Sequence, residues 1–258
     1  MSKGIKVSFT DDLVVKVLDT CAIISDEGIL KFKDDGLHIY AVNKATTMMF
    51  YAHVSKDLFL PYIIDQSQDL TIDIKKAKQM KWFEKMKSGY EGMLSLEDNK
   101  MNVSFNKDTT TKTSKLFLIN RDTEIEEIEE FDFQNIYDID LPTFIEWLKD
   151  IITLTDYVNI VTTDNSLRFL SYIPKVSIGE ITIEEMFESS LHLKVIKSKK
   201  EQGNVVYNIN YLLDLVSNFK GRFEKINLSF QNDLPIIGML KDEFFIIKFF
   251  VAPRESED

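Results

Sequence analysis

The fold is decided by a stretch that the chain uses twice: DDLVVKVLDTCAIISDEGILKFKDDGLHIYAV, residues 11–42, and LPTFIEWLKDIITLTDYVNIVTTDNSLRFLSY, residues 141–172. The two align without a gap at a spacing of about 130 residues. Few positions are identical, but both place apolar residues at helical spacing, then an acidic turn, then alternating strands. A repeat of this length predicts one domain-sized unit used twice.

The rest of the chain continues the repeat in the same order. Residues 72–74 and 207–209 each precede an apolar-periodic helix, and further strands follow at 92–98 and 226–232. Each half is predicted to be strand, helix, strands, helix, strands, which places the chain in the α+β class. The alternative is that helix–strand–strand patterns recur by chance, as they do in many α+β proteins.

Length and composition indicate an ordinary globular protein. The 258 residues are 44% hydrophobic and 28% charged, enough for two domains with buried cores. No apolar run approaches the ~18 residues of a membrane span, and the N-terminus lacks the pattern of a secretory signal. The single cysteine, Cys21, excludes an intramolecular disulfide, lies on the apolar face of the first helix and fits a reducing compartment. We therefore expect an intracellular protein with a buried structural thiol.

Motifs that carry chemistry are scarce. The three histidines, His38, His53 and His192, are far apart in sequence, and no Cys/His spacing indicates zinc. The sequence contains no glycine-rich phosphate loop and no nucleophile elbow. We expect neither catalysis, nor a cofactor, nor a metal. An acidic two-domain enzyme with an unrecognised carboxylate pair stays open as an alternative.

Charge is unevenly distributed along a chain whose net charge is −11. Residues 75–87 contain six lysines and one acid, with Ala77, Met80 and Phe83 as an apolar stripe. A lysine face on a helix of an acidic protein indicates a surface that meets a polyanion. The alternative is a solvated surface helix.

The opposite extreme lies at residues 122–132, where seven of eleven residues are acidic and Ile125, Ile128 and Phe131 are interleaved. This segment falls between the two repeats, so it is predicted to connect two domains and to lie against a surface. A short helix is the competing interpretation. The predicted domains are 1–119 and 136–258, with a connector at 120–135.

Two segments are predicted to be exposed sheet edges: 109–119, which ends the first half, and 177–183, which alternates in the second. Unpaired edges invite pairing with another chain, and head-to-tail pairing closes into a ring when the rotation allows it. From pattern alone, both strands could equally be interior.

The C-terminal segment carries a family resemblance. Residues 234–240, LPIIGML, and 244–254, FFIIKFFVAPR, followed by acids, resemble the C-terminus of the sliding clamps of archaea and eukaryotes, the proliferating cell nuclear antigen family. Residues 13–18, 35–39 and 141–142 and the acidic connector match the same family, so the resemblance covers nearly the whole chain.

The resemblance implies a ring of three like subunits, homomeric or heteromeric, with inner helices packed on outer antiparallel sheets. Such a ring encircles duplex DNA without base-specific contacts, performs no chemistry and needs no cofactor. It tethers DNA polymerase, flap endonuclease, ligase and clamp loader through docking peptides. The implied location is the cytoplasm or nucleoid in an archaeon and the nucleus in a eukaryote.

Matching positions also imply site residues. Those facing DNA would be Lys16, Lys78, Lys81, Lys85, Lys149, Lys220 and Arg222. Those lining the peptide pocket would be Val42, Ile125, Ile128, Phe131, Pro235, Phe250, Ala252 and Pro253. Those at the subunit interface would be Leu116, Phe117, Leu118, Ile178, Ile181 and Ile183.

The sequence departs from the family in one respect. Its basic residues concentrate in the second helix, whereas Lys16 and Lys149 on the first and third helices have acidic neighbours. Such a lopsided subunit would suit a ring of different subunits. A clamp-fold protein without ring closure, acting as a monomeric or dimeric processivity or transcription factor, is the main alternative.

Overall fold

The structure, a computed structural model, describes residues 4–79, 89–97, 100–119, 131–133, 135–163, 166–171, 188–191, 194–198 and 204–254. The chain divides into two compact units. Unit 1 comprises Met1–Ile128 and Lys241–Ile247, and unit 2 comprises Glu129–Leu240 and Lys248–Asp258. Of the predicted connector, only residues 131–133 and 135 are described, so its boundaries stay a prediction.

Unit 1 contains nine strands and two α-helices among its described residues, with a short 3-10 helix, Lys56–Leu58, between β4 and β5. In chain order they are β1 Ile5–Phe9, α1 Asp12–Ile24, β2 Glu27–Lys33, β3 Gly36–Val42, β4 Met48–Ser55, β5 Tyr62–Ile64, β6 Gln68–Asp73, α2 Ile74–Gln79, β7 Glu91–Glu97, β8 Lys100–Lys107 and β9 Thr110–Ile119. The strands form two antiparallel runs, β5-β1-β7-β8-β9 and β4-β3-β2-β6, which the end of β9 joins by pairing with β6.

Unit 2 has the same elements in the same order. They are β10 Asn135–Asp140, α3 Leu141–Ile152, β11 Tyr157–Thr163, β12 Ser166–Ser171, β13 Glu188–Leu191, β14 Lys194–Ser198, β15 Asn204–Asn208, α4 Ile209–Val216, β16 Lys225–Phe230, β17 Ile236–Lys241 and β18 Phe245–Val251. The last residue of β17 and the first three of β18 belong to the segment Lys241–Ile247, which is grouped with unit 1. Their antiparallel runs, β14-β10-β16-β17-β18 and β13-β12-β11-β15, repeat the pairing of unit 1 strand for strand.

The two units also join their sheets at corresponding positions. In unit 1 the end of β9 pairs with β6 at Thr71↔Ile119. In unit 2 the N–H of Arg254, just after β18, donates to the carbonyl of Val206 in β15 at 2.8 Å. The duplication is therefore structural, and the prediction of two like α+β units with helices packed on antiparallel sheets is confirmed.

The long helices α1 and α3 share the features by which the repeat can be recognised in the sequence. An aspartate caps each N-terminus: Asp11 accepts from the Leu13 N–H at 2.8 Å and Asp140 from the Thr143 N–H at 2.9 Å. Four of the five predicted pairs are buried in both helices: Val14, Val17, Leu18 and Cys21 in α1, and Phe144, Trp147, Leu148 and Ile151 in α3. In the fifth pair Leu13 is buried and Thr143 is half-buried, while Val15 and Ile145 form a further buried pair.

Cys21 is fully buried among these side chains, and burial raises the pKa of its thiol far above the ordinary value. Among the described residues, no helix has the length and apolar character needed to span a membrane.

Candidate functional site

The polar face of the helices in unit 1 carries two of the predicted DNA-facing lysines, and both are paired with carboxylates. Lys16 on α1 contacts Asp12 of the same helix at 3.0 Å. Lys78 on α2 contacts Asp19 on α1 at 2.9 Å, which ties the two helices together. Phosphate groups approaching this face would have to compete with these carboxylates for the lysines.

A third ion pair connects the first turn of α2 to the residues that follow α1. Lys75 Nζ lies 2.9 Å from Asp26 Oδ1, just after α1. The hydrogen bond and charge of each partner lower the pKa of Asp26 and raise the pKa of Lys75. Both side chains are exposed, so the pair is open to solvent and to screening by salt.

Unit 2 carries the other described candidates. Lys149 on α3 is exposed, and so is Arg222 after α4. Lys220 follows α4 and lies 3.6 Å from Glu146 on α3, so this unit too pairs a lysine with an acid of the neighbouring helix. Lys81 and Lys85 lie outside the described residues. The DNA-facing role of all seven side chains stays a prediction.

Several predicted pocket residues of unit 2 lie on segments that are held by side-chain contacts. The buried Tyr207 donates its hydroxyl to the Leu234 carbonyl at 3.1 Å and holds the chain just before Pro235. After β18, Ala252 and Pro253 are half-buried, and the Arg254 guanidinium lies 4.4 Å from the centre of the Tyr157 ring. These contacts hold the segment before Pro235 and the residues after β18 against the rest of unit 2.

Phe250 stands out among them because it is only 6% exposed. In β18 the residues Phe245, Ile247 and Phe249 alternate as fully buried core side chains, which places Phe250 on the opposite face. A large aromatic side chain covered on that face already contributes to the stability of unit 2.

The remaining pocket candidates are divided between the units. Phe131 is half-buried in unit 2, with its ring 5.7 Å from that of Phe133, and Val42 is half-buried at the end of β3 in unit 1. Ile125 and Ile128 lie outside the described residues. The pocket as a whole stays a prediction.

The interface candidates on β9 do not form one surface. Phe117 is 67% exposed, whereas Leu116 is 1% exposed and belongs to the core of unit 1. The prediction that Leu116 lies at the subunit interface is therefore wrong. Alternate residues of a strand point to opposite faces, and the Leu116 side chain points into the core. Leu118 is half-buried and pairs with Ile72 of β6. Ile178, Ile181 and Ile183 lie outside the described residues.

Sequence reasoning missed one cluster of chemically capable side chains. Antiparallel pairing of β3 and β4 sets His38 opposite His53, and Asp35 lies in the turn before β3. One ligand atom from each of the three falls within 4.8 Å of the other two. The missed signal was the alternation of the two strands, which puts both histidines on the face away from Leu37, Ala52 and the core.

The titration of this cluster reflects its burial and its hydrogen bonds. Burial lowers the pKa of His38, and the hydrogen bond to Asp35 opposes that shift without cancelling it. Burial tends to raise the pKa of Asp35, but the hydrogen bond from His38 and the charges of both histidines bring it below the ordinary value. Both shifts favour an ionised Asp35 carboxylate beside a neutral His38 imidazole at neutral pH.

No family model matches the chain. Individual curated proteins nevertheless align with the chain along almost its full length. A DNA polymerase sliding clamp of Pyrococcus abyssi is 24% identical over 250 residues, which is 94% of each chain. The proliferating cell nuclear antigen of Saccharomyces cerevisiae is 18% identical over 232 residues, or 88% of each chain.

Solved structures share the fold. A chain from the structure of the C-terminal region of FEN-1 bound to A. fulgidus PCNA superimposes with a TM-score of 0.79 at 18% identity, covering 98% of this chain and 100% of its own. A chain of the PCNA2–PCNA3 complex from Sulfolobus tokodaii gives a TM-score of 0.76 at 16% identity, covering 97% and 99%. The resemblance predicted from the C-terminal segment is confirmed, in sequence and in fold.

Proposed function

We propose that this chain is a subunit of a DNA sliding clamp, a ring without enzymatic activity that encircles duplex DNA and tethers replication and repair enzymes to it. The observation that carries the proposal is the extent of the similarity. Relatives named as sliding clamps match 94% of the chain and 94% of their own length, and the chain repeats one α+β unit twice.

The helices supply the surface for DNA. Duplex DNA carries about one charge per 1.7 Å of its axis, so lysines attract it irrespective of sequence. Lys16, Lys78 and Lys220 are held at defined places by surface ion pairs, and such pairs contribute only about 0–1 kcal/mol each. Phosphates can therefore exchange with the carboxylates, which gives contacts loose enough for sliding.

Strand β9 supplies an edge for assembly. It pairs with β8 along its length, but on its other side the described residues pair with β6 only at Leu118 and Ile119. We propose that a strand of another chain pairs with the part of β9 before Leu118, beside the exposed Phe117. The Sulfolobus tokodaii relative is a complex of two PCNA proteins, so we propose a homotrimer or a heterotrimer of like subunits.

Docking peptides would bind near the C-terminal strand. The A. fulgidus relative was solved with the C-terminal region of FEN-1, and we propose that polymerase, flap endonuclease, ligase and clamp loader reach this chain in the same way. Phe250 and Pro235 are the proposed walls of the pocket, with the connector residues beside them.

Light scattering coupled to size-exclusion chromatography tests the proposal. The chain has a mass of 30.0 kDa, so a homotrimeric ring has about three times that mass. A heteromeric ring reaches it only after mixing with its sister subunits. A monomer or dimer in every mixture would support instead a clamp-fold factor that does not close a ring.

A further inference from the structure

The cluster of Asp35, His38 and His53 has no role in the proposed clamp function. It lies on the polar face of the sheet in unit 1, where Asp35 is 61% exposed, His53 19% and His38 9%. We propose that these three side chains bind a transition-metal cation, with Zn²⁺ as the best fit, and leave one coordination position open to solvent.

The spacing of the ligand atoms supports this. His38 Nε2 is 2.9 Å from Asp35 Oδ1, and His53 Nε2 is 3.6 Å from Asp35 Oδ2. Tetrahedral zinc with bonds of about 2.0–2.1 Å separates its ligand atoms by roughly 3.3 Å. These two separations differ from that value by a few tenths of an ångström, although they end on different oxygens of Asp35. One ligand atom from each residue lies within 4.8 Å of the other two, so rotations about the side-chain bonds are needed to bring all three onto one ion.

The backbone that carries the cluster is fixed from several directions. The Lys56 N–H donates to the Asp35 carbonyl at 3.0 Å, and the single proton of the Tyr62 hydroxyl is within reach of the carbonyl oxygens of Lys33 and Gly36, at 2.8 and 2.7 Å. Asn43 closes the loop after β3 by accepting from the Thr47 and Met48 N–H groups, which fixes the register that opposes His38 to His53. A ligand set on such a frame needs little reorganisation to bind an ion.

A second layer orients the more buried histidine. His38 Nδ1 lies 3.0 Å from the Tyr51 hydroxyl, on the side of the ring away from Asp35. With a cation on Nε2, the proton of the neutral ring is on Nδ1 and is donated to Tyr51, the arrangement common in metal-binding histidines. Any proton held by Nε2 beforehand goes to water when the cation binds.

The fold itself does not require this set of side chains. In the repeat, the positions aligned with Asp35 and His38 carry Asn165 and Arg168, which cannot complete a comparable site. Two imidazoles and one carboxylate suit Zn²⁺, Co²⁺ or Ni²⁺, whereas Mg²⁺ and Ca²⁺ prefer oxygen ligands alone. The competing explanation is an ordinary His–Asp hydrogen bond that binds no ion.

Titration of the full chain with ZnCl₂ by calorimetry, and with CoCl₂ by visible absorption, tests the site. We expect one ion per chain, a visible spectrum typical of Co²⁺ with nitrogen and oxygen ligands, and no binding of MgCl₂ at the same concentrations. His53→Gln and Asp35→Asn should each weaken zinc binding at least tenfold, and Tyr51→Phe roughly tenfold through loss of the orienting hydrogen bond.

The matched control is Asp34→Asn, which removes the same charge from the same exposed turn but no proposed ligand. It should bind zinc as the unaltered chain does, and melting curves without metal verify that every variant is folded. The proposal is overturned if the chain shows no saturable zinc binding below 1 mM, if the ligand variants bind as the unaltered chain does, or if Asp34→Asn loses binding equally.

Discussion

At the scale of single residues, the Phe250 side chain combines a role in stability with a proposed role in peptide binding. It is covered to 94% of its surface within the chain, and it is also the proposed wall of a peptide pocket. We expect Phe250→Ala to lower the free energy of unfolding by about 3 kcal/mol and to weaken binding of a polymerase- or nuclease-derived peptide by roughly thirtyfold. A melting curve and a calorimetric peptide titration, run well below the melting point, separate the two effects.

The neighbouring Phe249 provides the control, because it is fully buried on the core face of the same strand. Phe249→Ala should cost at least as much stability and leave peptide affinity nearly unchanged in the protein that remains folded. Equal peptide affinity in both variants would remove Phe250 from the pocket.

Gly238 in β17 lies directly beneath the ring of Phe249 in the neighbouring strand β18. A Cβ at this position would lie 1.9 Å from Phe249 Cζ, a separation that no side chain tolerates. Gly238→Ala should therefore destabilise unit 2 by about 1–3 kcal/mol in chemical denaturation. Gly4→Ala is the comparison: its Cβ meets the flexible carboxylate of Asp65 at 3.3 Å, so a cost below about 0.5 kcal/mol is expected. Similar costs at both sites would mean that the Phe249 ring moves aside.

At the scale of elements, an ion pair between α1 and α2 reduces the positive charge that α2 presents to DNA. Asp19 on α1 neutralises Lys78 on α2 at 2.9 Å. Asp19→Asn should free that lysine and raise affinity for duplex DNA two- to fivefold at low salt, corresponding to roughly 0.5–1 kcal/mol. The gain should shrink as salt rises, since the screening length falls from about 10 Å at 0.1 M to about 3 Å at 1 M. Fluorescence anisotropy with a labelled duplex measures it.

Asp69→Asn serves as the control for net charge. Asp69 pairs with Lys31 at 3.3 Å on the sheet of unit 1, away from the proposed DNA-facing helices. If this variant gains as much DNA affinity as Asp19→Asn, then overall charge matters and the helices have no special role.

Elements also show what the sequence could predict. The stripes of α1 and α3 were readable because burial repeats with the helical period, and residues such as Leu18 and Leu148 are both buried as expected. The opposition of His38 and His53 was not readable, because it depends on the register across a loop that Asn43 closes with its side chain. Leu116 was misplaced because a β-branched edge pattern does not say which face of a strand meets the core.

At the scale of the whole molecule, β9 with its exposed Phe117 is the described surface that we propose for association. Phe117→Asp should break one contact per subunit and lower the mass of the assembly in solution, because burying an unpaired charge is costly. Leu60→Asp is the matched control, since Leu60 is 84% exposed elsewhere in unit 1. Unchanged mass for Phe117→Asp, or an equal loss for Leu60→Asp, would contradict the proposed interface.

The central claim is that the assembled chain holds DNA by encircling it. The most direct measurement is retention on DNA of one sequence in two forms, a nicked circle and the same molecule cut once to give free ends. A ring, loaded at moderate salt with its clamp loader, should stay on the circle and slide off the linear form, because charge attraction alone is weakened by salt. Equal retention on both forms, or none on the circle, would contradict the account.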